Sequence, residues 1–387
     1  MDATRRLQGE STGPALAGRN PSIPQQTTLD LGIVSVVPSP YQRDLFRALA
    51  RRSDVRLRVY YLERSAPDSP WPEEPLQPYE TILPGFWFSV AGARFHVVSK
   101  HPTLDQHQFL VLNSLTSSLS QWKLRFRGES QKLLFWAEPL RPQSARLRSI
   151  FQGLLTSPIG GVDAIVGIGS QAVKSYSERW PSIPCFNVPY HCDLLPFFEN
   201  RATFQGLKEE VRFLFCGQLI ARKGVDVLLE AFNRLVYKGY PVRLRLVGRR
   251  AELDQMLATV SAEAKARISY EGFFDPKRLS EIYSQAHVFV LPSRYDGWGV
   301  VVNQALGAGL PIICTDAVGA GYDLVDHGVN GYRVPAGDPD QLAGCMEDLI
   351  VQRERIPEFG AASRRMAEAF TPDQGADKWS KVLLQLL

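Results

Sequence analysis

The chain of 387 residues lacks several features that would assign it to a class of protein at once. No stretch approaches the roughly 18 to 20 uncharged apolar residues that span a membrane, and the N-terminus has no apolar core typical of a secretory signal. The five cysteines form no CxxC pair, which argues against both a zinc site and a disulfide framework. We therefore expect a cytoplasmic protein whose cysteines are small buried residues.

A strong excess of charge of one sign is also missing. The 44 basic and 40 acidic residues leave a net charge of +4, and that excess falls in residues 1–200, which hold 21 basic and 17 acidic residues. With 44% hydrophobic and 22% charged residues, the composition supplies apolar mass for two cores and excludes a chain that is disordered throughout.

The first half of the chain indicates a mixture of strands and helices behind a polar start. Residues 1–28 are rich in Gly, Pro, Ser and Gln, which predicts a disordered N-terminal tail. Residues 64–95 are rich in Pro and aromatics and give no assignment. Apolar runs and helical spacing predict a helix at 42–52 and strands at 31–37, 55–62, 132–136, 163–167 and 184–188.

Predicted strands and helices alternate more clearly in the second half of the chain. Its predicted strands are 211–216, 242–247, 268–270, 287–291, 311–315 and 332–334, and its predicted helices are 225–237, 251–265, 276–285, 300–308, 339–352 and 373–387. This alternation is typical of an α/β protein with parallel sheets covered on both faces. We predict two Rossmann-like domains, 29–199 and 200–370, that face each other across a cleft, and a C-terminal helix, 371–387, that packs back on the first domain.

Two loops of the second half have the residues of a phosphate site. In the segment 215–224, Arg222 and Lys223 stand beside a glycine where a strand leads into a helix, and cations in this position suit a diphosphate. In the segment 291–299, Gly297 and Gly299 precede a helix, so backbone N–H groups can approach an anion at its N-terminus. Each loop alone is also compatible with an ordinary strand-to-helix turn.

Together the two loops resemble those of glycosyltransferase family 4, the retaining nucleotide-sugar transferases of the GT-B fold. The matching segments are 217–232, 246–248, 270–272, 292–299, 308–311 and 326–331. In residues 1–200 the resemblance is one of architecture, supported by the segment 188–193. It implies a hexosyltransferase of polysaccharide or glycolipid assembly that uses a nucleoside diphosphate sugar and needs no enzymic nucleophile, cofactor or metal.

The resemblance implies roles for individual residues, and the chain departs from the family at three of them. The family's EX7E motif places one glutamate on the transferred sugar and another on the ribose, whereas the matching positions here are Asp296 and Gln304. Gln218 stands where members often carry arginine, while Lys223 matches the lysine that holds the diphosphate, and Arg222 could replace the missing charge. Asp296 is shorter than glutamate by about 1.5 Å, and Gln304 is expected to lower donor affinity about tenfold.

The predicted site therefore has a catalytic group and a donor-binding group. Lys223, Arg222 and Asp296 form the catalytic group, in which fixed charges stabilise the departing diphosphate. The predicted donor-binding residues are Gly217, Gln218, Gly272, Phe273, Gly297, Trp298, Gly299, Val300 and Gln304. Of these, Gly272 and Phe273 fall where the family lines the nucleobase pocket.

The first half should hold the acceptor. Arg43 and Glu138 each follow a predicted strand at the cleft and are candidate acceptor-side residues, although a surface arginine at a helix start is an alternative for Arg43. The segment 167–172 matches the GxGxxA form of a dinucleotide fingerprint. A nicotinamide site is disfavoured because the match lies near the end of the first domain instead of in its first turn.

A basic stretch in the first half of the chain indicates what kind of partner the protein could bind. Residues 123–148 include seven basic and two acidic residues, and 145–155 has an apolar face. A helix packed on its own sheet is one interpretation, and peripheral contact with an anionic membrane is another; a nucleic-acid partner is not predicted. The acceptor is expected to be a glycan, a lipid-linked molecule or a small molecule. The alternatives are a nucleotide-sugar epimerase of the same fold and a catalytically weakened nucleotide-sugar-binding protein.

Overall fold

The computed structural model of the chain describes residues 28–65, 73–90, 93–99, 101–126, 130–141 and 146–387. The predicted N-terminal tail lies outside the described residues except for Thr28. The elements of the first half are β1 (Leu29–Ser35), α1 (Pro40–Ala50), β2 (Val55–Tyr61), β3 (Glu80–Ile82), β4 (Gly85–Val90), β5 (Ala93–Val98), β6 (Phe109–Leu112), α2 (Ser118–Arg125), β7 (Lys132–Ala137), α3 (Arg146–Thr156), β8 (Ala164–Gly167), α4 (Ser170–Arg179), β9 (Cys185–Asn187) and α5 (Leu195–Glu199).

The second half continues the alternation of strands and helices. Its elements are β10 (Val211–Cys216), α6 (Val225–Tyr237), β11 (Val242–Val247), α7 (Leu253–Leu257), α8 (Ala262–Lys265), β12 (Ile268–Tyr270), α9 (Leu279–Tyr283), β13 (Val288–Leu291), α10 (Val301–Ala308), β14 (Ile312–Thr315), α11 (Ala320–Leu324), β15 (Gly331–Val334), α12 (Pro339–Val351), α13 (Ile356–Ala367) and α14 (Pro372–Gln385). Short 3-10 turns lie at Pro102–Gln106, Ser157–Gly161, Ala221–Lys223, Pro276–Arg278, Arg353–Arg355 and Glu368–Phe370.

The strands form two parallel sheets and one antiparallel hairpin. The first sheet has the order β3-β2-β1-β6-β7-β8-β9, the second has the order β12-β11-β10-β13-β14-β15, and β4 pairs with β5. In the second sheet the strand order reverses between β10 and β13, and in the first it reverses between β1 and β6. Ligands of open α/β sheets bind at such reversals, beyond the carboxyl ends of the strands.

Apolar residues explain why the strands are central. The consecutive residues Ile33 and Val34 of β1 and Phe213, Leu214 and Phe215 of β10 are fully buried, as expected of sheets covered on both faces. The predicted α/β class and the two Rossmann-like sheets are confirmed.

The C-terminal helix returns to the first half, as predicted. Trp379 of α14 is fully buried, and its ring packs edge-on against that of Trp136 in β7, with centroids 5.4 Å apart. At the surface, Arg51 after α1 donates to Asp373 of α14 at 2.9 Å. The last residues of the chain therefore complete the core of the first sheet.

Several elements differ from the sequence predictions. The single helix predicted at 251–265 is two short helices, because Ser261 accepts a hydrogen bond from the Ala264 amide and caps a new helix there. The elements that the sequence did not predict are β3, β4, β5, β6, α2, α4, α5, α11 and α13. None of the helices in the described part of the chain is long and apolar enough to cross a membrane.

The apolar face of α3 is not covered by the sheet. Ile150, Phe151 and Leu154 remain 55%, 50% and 65% exposed. The interpretation in which this helix packs its apolar face onto its own sheet therefore does not hold for these three side chains.

Candidate active site

The two predicted phosphate loops leave β10 and β13, the two strands between which the order of the second sheet reverses. Backbone contacts hold the loops together: the Arg294 amide donates to the Arg222 carbonyl at 2.8 Å. Gly224 has φ +70°, and a Cβ atom there would lie 1.9 Å from the Pro292 carbonyl oxygen. Only glycine allows the first loop to approach the second this closely.

An ion pair joins the loops at their centre. The Lys223 Nζ atom lies 2.5 Å from Asp296 Oδ2, and the two side chains are only 14% and 13% exposed. The Ser293 hydroxyl also donates to Asp296 Oδ2, at 3.4 Å, and the Asp296 amide donates to the Ala317 carbonyl at 2.9 Å. The cation predicted to hold a diphosphate is thus paired with the carboxylate predicted to contact the sugar.

Arg222 lies beside this pair. Its Nη1 atom donates to the Tyr295 carbonyl at 3.0 Å, which places the guanidinium along the second loop. The neighbouring Arg294 points to another partner, since it makes a two-pronged ion pair with Asp226 at 2.6 and 2.7 Å. Of the arginines in these loops, Arg222 is therefore the one placed to assist Lys223.

The second loop brings backbone donors to the same place. Residues 297–300 lead directly into α10, and in the described part of the chain their amides donate to no protein acceptor. The macrodipole of α10 adds positive potential at this end. Lys223 and Arg222 thus lie on a loop that contacts the loop bearing the amides of Gly297 to Val300, and the anion-binding position that the sequence predicts for them stays a prediction.

Glu138 reaches this position from the first half of the chain. It follows β7, and a Cβ atom placed on Gly297 would lie 1.9 Å from Glu138 Oε2, so the carboxylate rests on the backbone of the donor loop. Burial and the nearby Asp296 charge raise the pKa of Glu138 to about 7, against the opposing effects of Lys223, a hydrogen bond from Tyr190 and Arg222. The side chain thus titrates near neutral pH at the boundary of the two halves.

The remaining donor-side positions cluster at the carboxyl edge of the second sheet. Gly217 and Gln218 follow β10, while Gly272 and Phe273 follow β12, where the Phe273 ring is 46% exposed. Gln304 lies on α10, and its Oε1 atom accepts a hydrogen bond from the Tyr283 hydroxyl at 3.3 Å.

The side chains of two predicted site residues have partners inside the protein. The Trp298 side chain is fully buried, and its Nε1 atom donates to Asn303 Oδ1 at 2.8 Å, so the indole does not face a donor. Arg43 is neither a cleft residue nor a surface arginine: it is 2% exposed and donates to both oxygens of buried Glu80 at 2.9 and 2.7 Å. Burial of Arg43 is possible because this bidentate pair satisfies the guanidinium.

The dinucleotide-like turn at 167–172 is an interdomain contact. It leads into α4, and Asp323 of α11 accepts hydrogen bonds there from the Ser170 amide at 2.9 Å and the Ser170 hydroxyl at 2.8 Å. Asn187 donates to the same carboxylate at 3.0 Å. The helix N-terminus at which a pyrophosphate would bind is therefore filled by the chain's own carboxylate.

This contact predicts a measurable effect on stability. Replacing Asp323 by alanine should lower the free energy of unfolding by about 2 kcal/mol, because hydrogen bonds to a charged acceptor are lost and the Ser170 donors remain partly buried. Urea denaturation monitored by fluorescence checks the value. The exposed Glu358→Ala is the control and should change stability by less than about 0.5 kcal/mol; equal effects of the two variants would contradict the role of Asp323.

Sequence reasoning missed three polar residues of the first half that lie near the cleft. Tyr190 hydrogen-bonds the Glu138 side chain, although only its segment, 188–193, was noticed. At the carboxyl ends of β1 and β6, the Gln42 amide donates to Asn113 Oδ1 at 3.1 Å, and Asn113 donates to the Trp136 carbonyl at 2.7 Å. The position of Asn113 directly after an apolar run was the available signal for this pair.

No group of three or more His, Cys, Asp or Glu side chains that could hold a metal ion occurs among the described residues. The chemistry of the site, as far as the described chain provides it, consists of the cations, the amides and the two carboxylates.

Comparison with known proteins identifies the family. Residues 210–352 match the family described as Glycosyl transferases group 1. Among curated proteins, D-inositol 3-phosphate glycosyltransferase from Rhodococcus erythropolis is 28% identical over 43% of this chain and 40% of its own length. Across the leading relatives the matches cover 40 to 62% of their lengths, so the chain spans about half the length of the curated relatives it matches.

Solved structures match nearly the whole chain. Sucrose-phosphate synthase from Thermosynechococcus elongatus aligns with a TM-score of 0.70 over 92% of this chain and 99% of its own, at 18% identity. Anabaena HepE in complex with UDP aligns with a TM-score of 0.68 over 92% of this chain and 100% of its own, at 14% identity. At these identities the likeness shows the fold alone. Together, the two comparisons show that residues 210–352 match the group 1 glycosyl transferases, glycosyltransferase family 4, and that the chain has the GT-B fold.

Proposed function

We propose that this chain is a retaining glycosyltransferase that moves a sugar from a nucleoside diphosphate sugar to a glycan, a lipid-linked molecule or a small molecule. The observation that carries the proposal is the Lys223–Asp296 pair at the strand-order reversal of the second sheet, opposite Glu138 of the first. The donor side is assigned to residues 200–370 and the acceptor side to 29–199. The UDP bound to HepE supports a nucleoside diphosphate as the leaving group.

A bound donor would have to break the Lys223–Asp296 ion pair. A diphosphate competes with Asp296 for Lys223, because both are anions that need the same ammonium group. Once displaced, Asp296 is free to hydrogen-bond the sugar, as the first glutamate does in the family. Lys223, Arg222 and the amides of Gly297 to Val300 then stabilise the charge that develops on the departing phosphate oxygen.

The acceptor approaches from the side of Glu138. A carboxylate here accepts a hydrogen bond from the acceptor hydroxyl and fixes it near the anomeric carbon. The bond between the sugar and the diphosphate breaks, the new bond forms on the same face, and the acceptor proton passes to the leaving diphosphate. The reaction then requires no covalent intermediate with the enzyme.

The test is product analysis with a panel of nucleoside diphosphate sugars. Release of the nucleoside diphosphate that increases when an acceptor is added supports transfer. Formation of an epimer without dependence on an acceptor would support the epimerase alternative, and binding without any release would support the weakened binding protein. Either outcome would overturn the proposed function.

Gln304 allows a gain-of-affinity prediction. We expect Gln304→Glu to bind the donor about tenfold more tightly, because a carboxylate makes charge-assisted hydrogen bonds with ribose hydroxyls. Calorimetric titration with the nucleoside diphosphate measures the change. The matched control is Gln285→Glu, an amide outside the proposed site, whose side chain is bonded to Arg245; an unchanged affinity in Gln304→Glu would contradict the assignment of Gln304 to the ribose.

A further inference from the structure

The first half of the chain carries an exposed apolar surface outside the cleft. On the β4–β5 hairpin it consists of Phe86, Phe88, Val90 and Val97, which are 64%, 44%, 54% and 40% exposed. On α3 it consists of Ile150, Phe151 and Leu154. We refer to these seven residues as the apolar rim.

The alternation of the hairpin fixes which of its faces points outward. In the pairing, Phe86 stands opposite Val97 and Phe88 opposite Phe95, so one face is wholly apolar. On the other face, His96 of β5 is buried and hydrogen-bonds Glu63 at 3.1 Å, whereas its partner in the pairing, Trp87 of β4, is 42% exposed. A one-residue change of register would be needed to hide the apolar face, so its exposure is built into the strand pairing.

Ring contacts join the hairpin to α3 in one surface. Phe88 stacks on Phe95 at 5.8 Å between centroids, and Phe95 meets Phe151 edge-on at 6.1 Å. Phe151 and its neighbours then continue the apolar area along α3. Contiguous apolar surface of this kind is uncommon on a soluble protein without a partner.

The segments that carry the apolar rim contain charged residues of one sign. The hairpin, α2 with Phe126, and α3 cover residues 85–98, 118–126 and 146–156, and these segments contain five basic residues and no acidic residue. Two of the five have acidic partners from other elements, Arg94 with Glu63 and Lys123 with Asp105. Apolar side chains on segments of basic composition complement an interface of acyl chains and anionic headgroups.

The rim also lies at the edge of the sheet that faces the cleft. The hairpin is anchored to Glu63, just beyond the carboxyl end of β2, and the chain passes Glu138 between β7 and α3. A sugar-binding platform would need hydrogen-bonding groups beside its rings, and the apolar rim has none among its seven side chains.

We propose that the apolar rim docks this protein on an anionic lipid bilayer, which presents a lipid-linked acceptor to Glu138. The acceptor class rests on the proposed function, whereas the docking itself does not. The bilayer supplies apolar depth for the aromatic side chains and negative charge that complements the basic composition of these segments.

The experiment is co-sedimentation of the full chain with vesicles of phosphatidylcholine, alone or mixed in equal parts with phosphatidylglycerol, at low and high salt. We expect binding to the mixed vesicles that weakens with salt. Phe86→Ser/Phe88→Ser should bind at least about tenfold less well. The matched control is Tyr237→Ser, which removes a 90% exposed aromatic side chain of α6 and should bind like the wild type.

Each variant is also tested for thermal stability, self-association and nucleoside diphosphate binding. Nucleotide binding without vesicle binding at low salt would overturn the docking and leave the proposed function standing. Vesicle binding without nucleotide binding would support the docking and overturn both the proposed function and the lipid-linked acceptor. Dimers that dissociate in Phe86→Ser/Phe88→Ser, with no vesicle binding, would show that the rim is covered by a second copy and would overturn the proposal.

Discussion

Replacing Lys223 by alanine is expected to lower kcat/KM for the donor by about 100-fold or more. The substitution removes the ammonium group that would hold the diphosphate, and the loss of a single preorganised donor to a developing anion costs about 10²- to 10³-fold. It also leaves Asp296, which is 13% exposed, without its ion-pair partner. Steady-state release of the nucleoside diphosphate measures the effect.

Two controls separate this role from general damage to the loop. Lys223→Met keeps most of the length of the side chain and should be as inactive as the alanine variant, with a similar melting temperature. Gln218→Ala removes a neutral side chain at the end of β10 and should reduce kcat/KM only a fewfold, as expected for loss of a neutral hydrogen bond. Small and equal effects of Lys223→Ala and Gln218→Ala would contradict the assignment.

The second large effect is expected at Glu138. Glu138→Gln should lower the transfer rate by about 10- to 100-fold while nucleoside diphosphate affinity changes by less than about twofold, because a charge-assisted hydrogen bond is replaced by a neutral one. Transfer and calorimetric titration give the two values. The matched control is Glu74→Gln, a half-exposed acid bound to Arg43 and Arg47, for which transfer should be unchanged.

The pH dependence of Glu138 supplies an independent signature. Because its pKa is raised to about 7, the ionised form that accepts a hydrogen bond is populated only as pH rises through that value. We therefore expect kcat/KM of the wild type to increase between pH 6 and pH 8, around that pKa, and the increase to disappear in Glu138→Gln. A bound diphosphate adds negative charge, which should raise the pKa of Glu138 further. The increase of kcat with pH should therefore occur at higher pH than the increase of kcat/KM.

The same group has a consequence for stability with a definite sign. Its folded pKa lies above the ordinary value of 4.5, so Glu138 stabilises the fold most below pH 4.5, and this contribution is lost as pH rises through about 7. Glu138→Gln should therefore match the wild type near pH 4.5 and be more stable than the wild type at pH 8. An identical pH dependence of stability in both proteins would show that the carboxyl is not perturbed.

The sequence predicted the fold class because apolar strands and amphipathic helices alternate regularly in the second half. It did not predict the β4–β5 hairpin, since every residue of β4 is exposed and its apolar side chains follow no burial pattern. Ser261 explains the broken helix at 251–265, because a serine in a helical pattern can act as a cap. Local sequence patterns therefore predicted most strands of the two sheets. They did not predict the elements whose packing partners are distant in sequence.

The residues of the candidate site also fall into those that the sequence predicted and those that it did not. Lys223 and the glycines of the second loop were visible as motifs, because phosphate binding by backbone amides needs those residue types at that place. The buried pairing of Arg43 with Glu80 and the packing of Trp298 were not visible, since each depends on residues far apart in the chain. Glu138 was predicted at the cleft, but its contact with Gly297 joins the two halves and appears only in the folded chain.

The most direct test of the central claim is whether a nucleoside diphosphate binds at Lys223. Thermal shift with UDP, GDP, ADP, CDP and dTDP is measured for the wild type, Lys223→Met and Gln304→Glu. Binding raises the melting temperature by mass action, so one base should stabilise the wild type, stabilise Gln304→Glu more strongly and leave Lys223→Met unchanged. A wild type that responds to none of the five, or a Lys223→Met variant that responds like the wild type, would contradict the account.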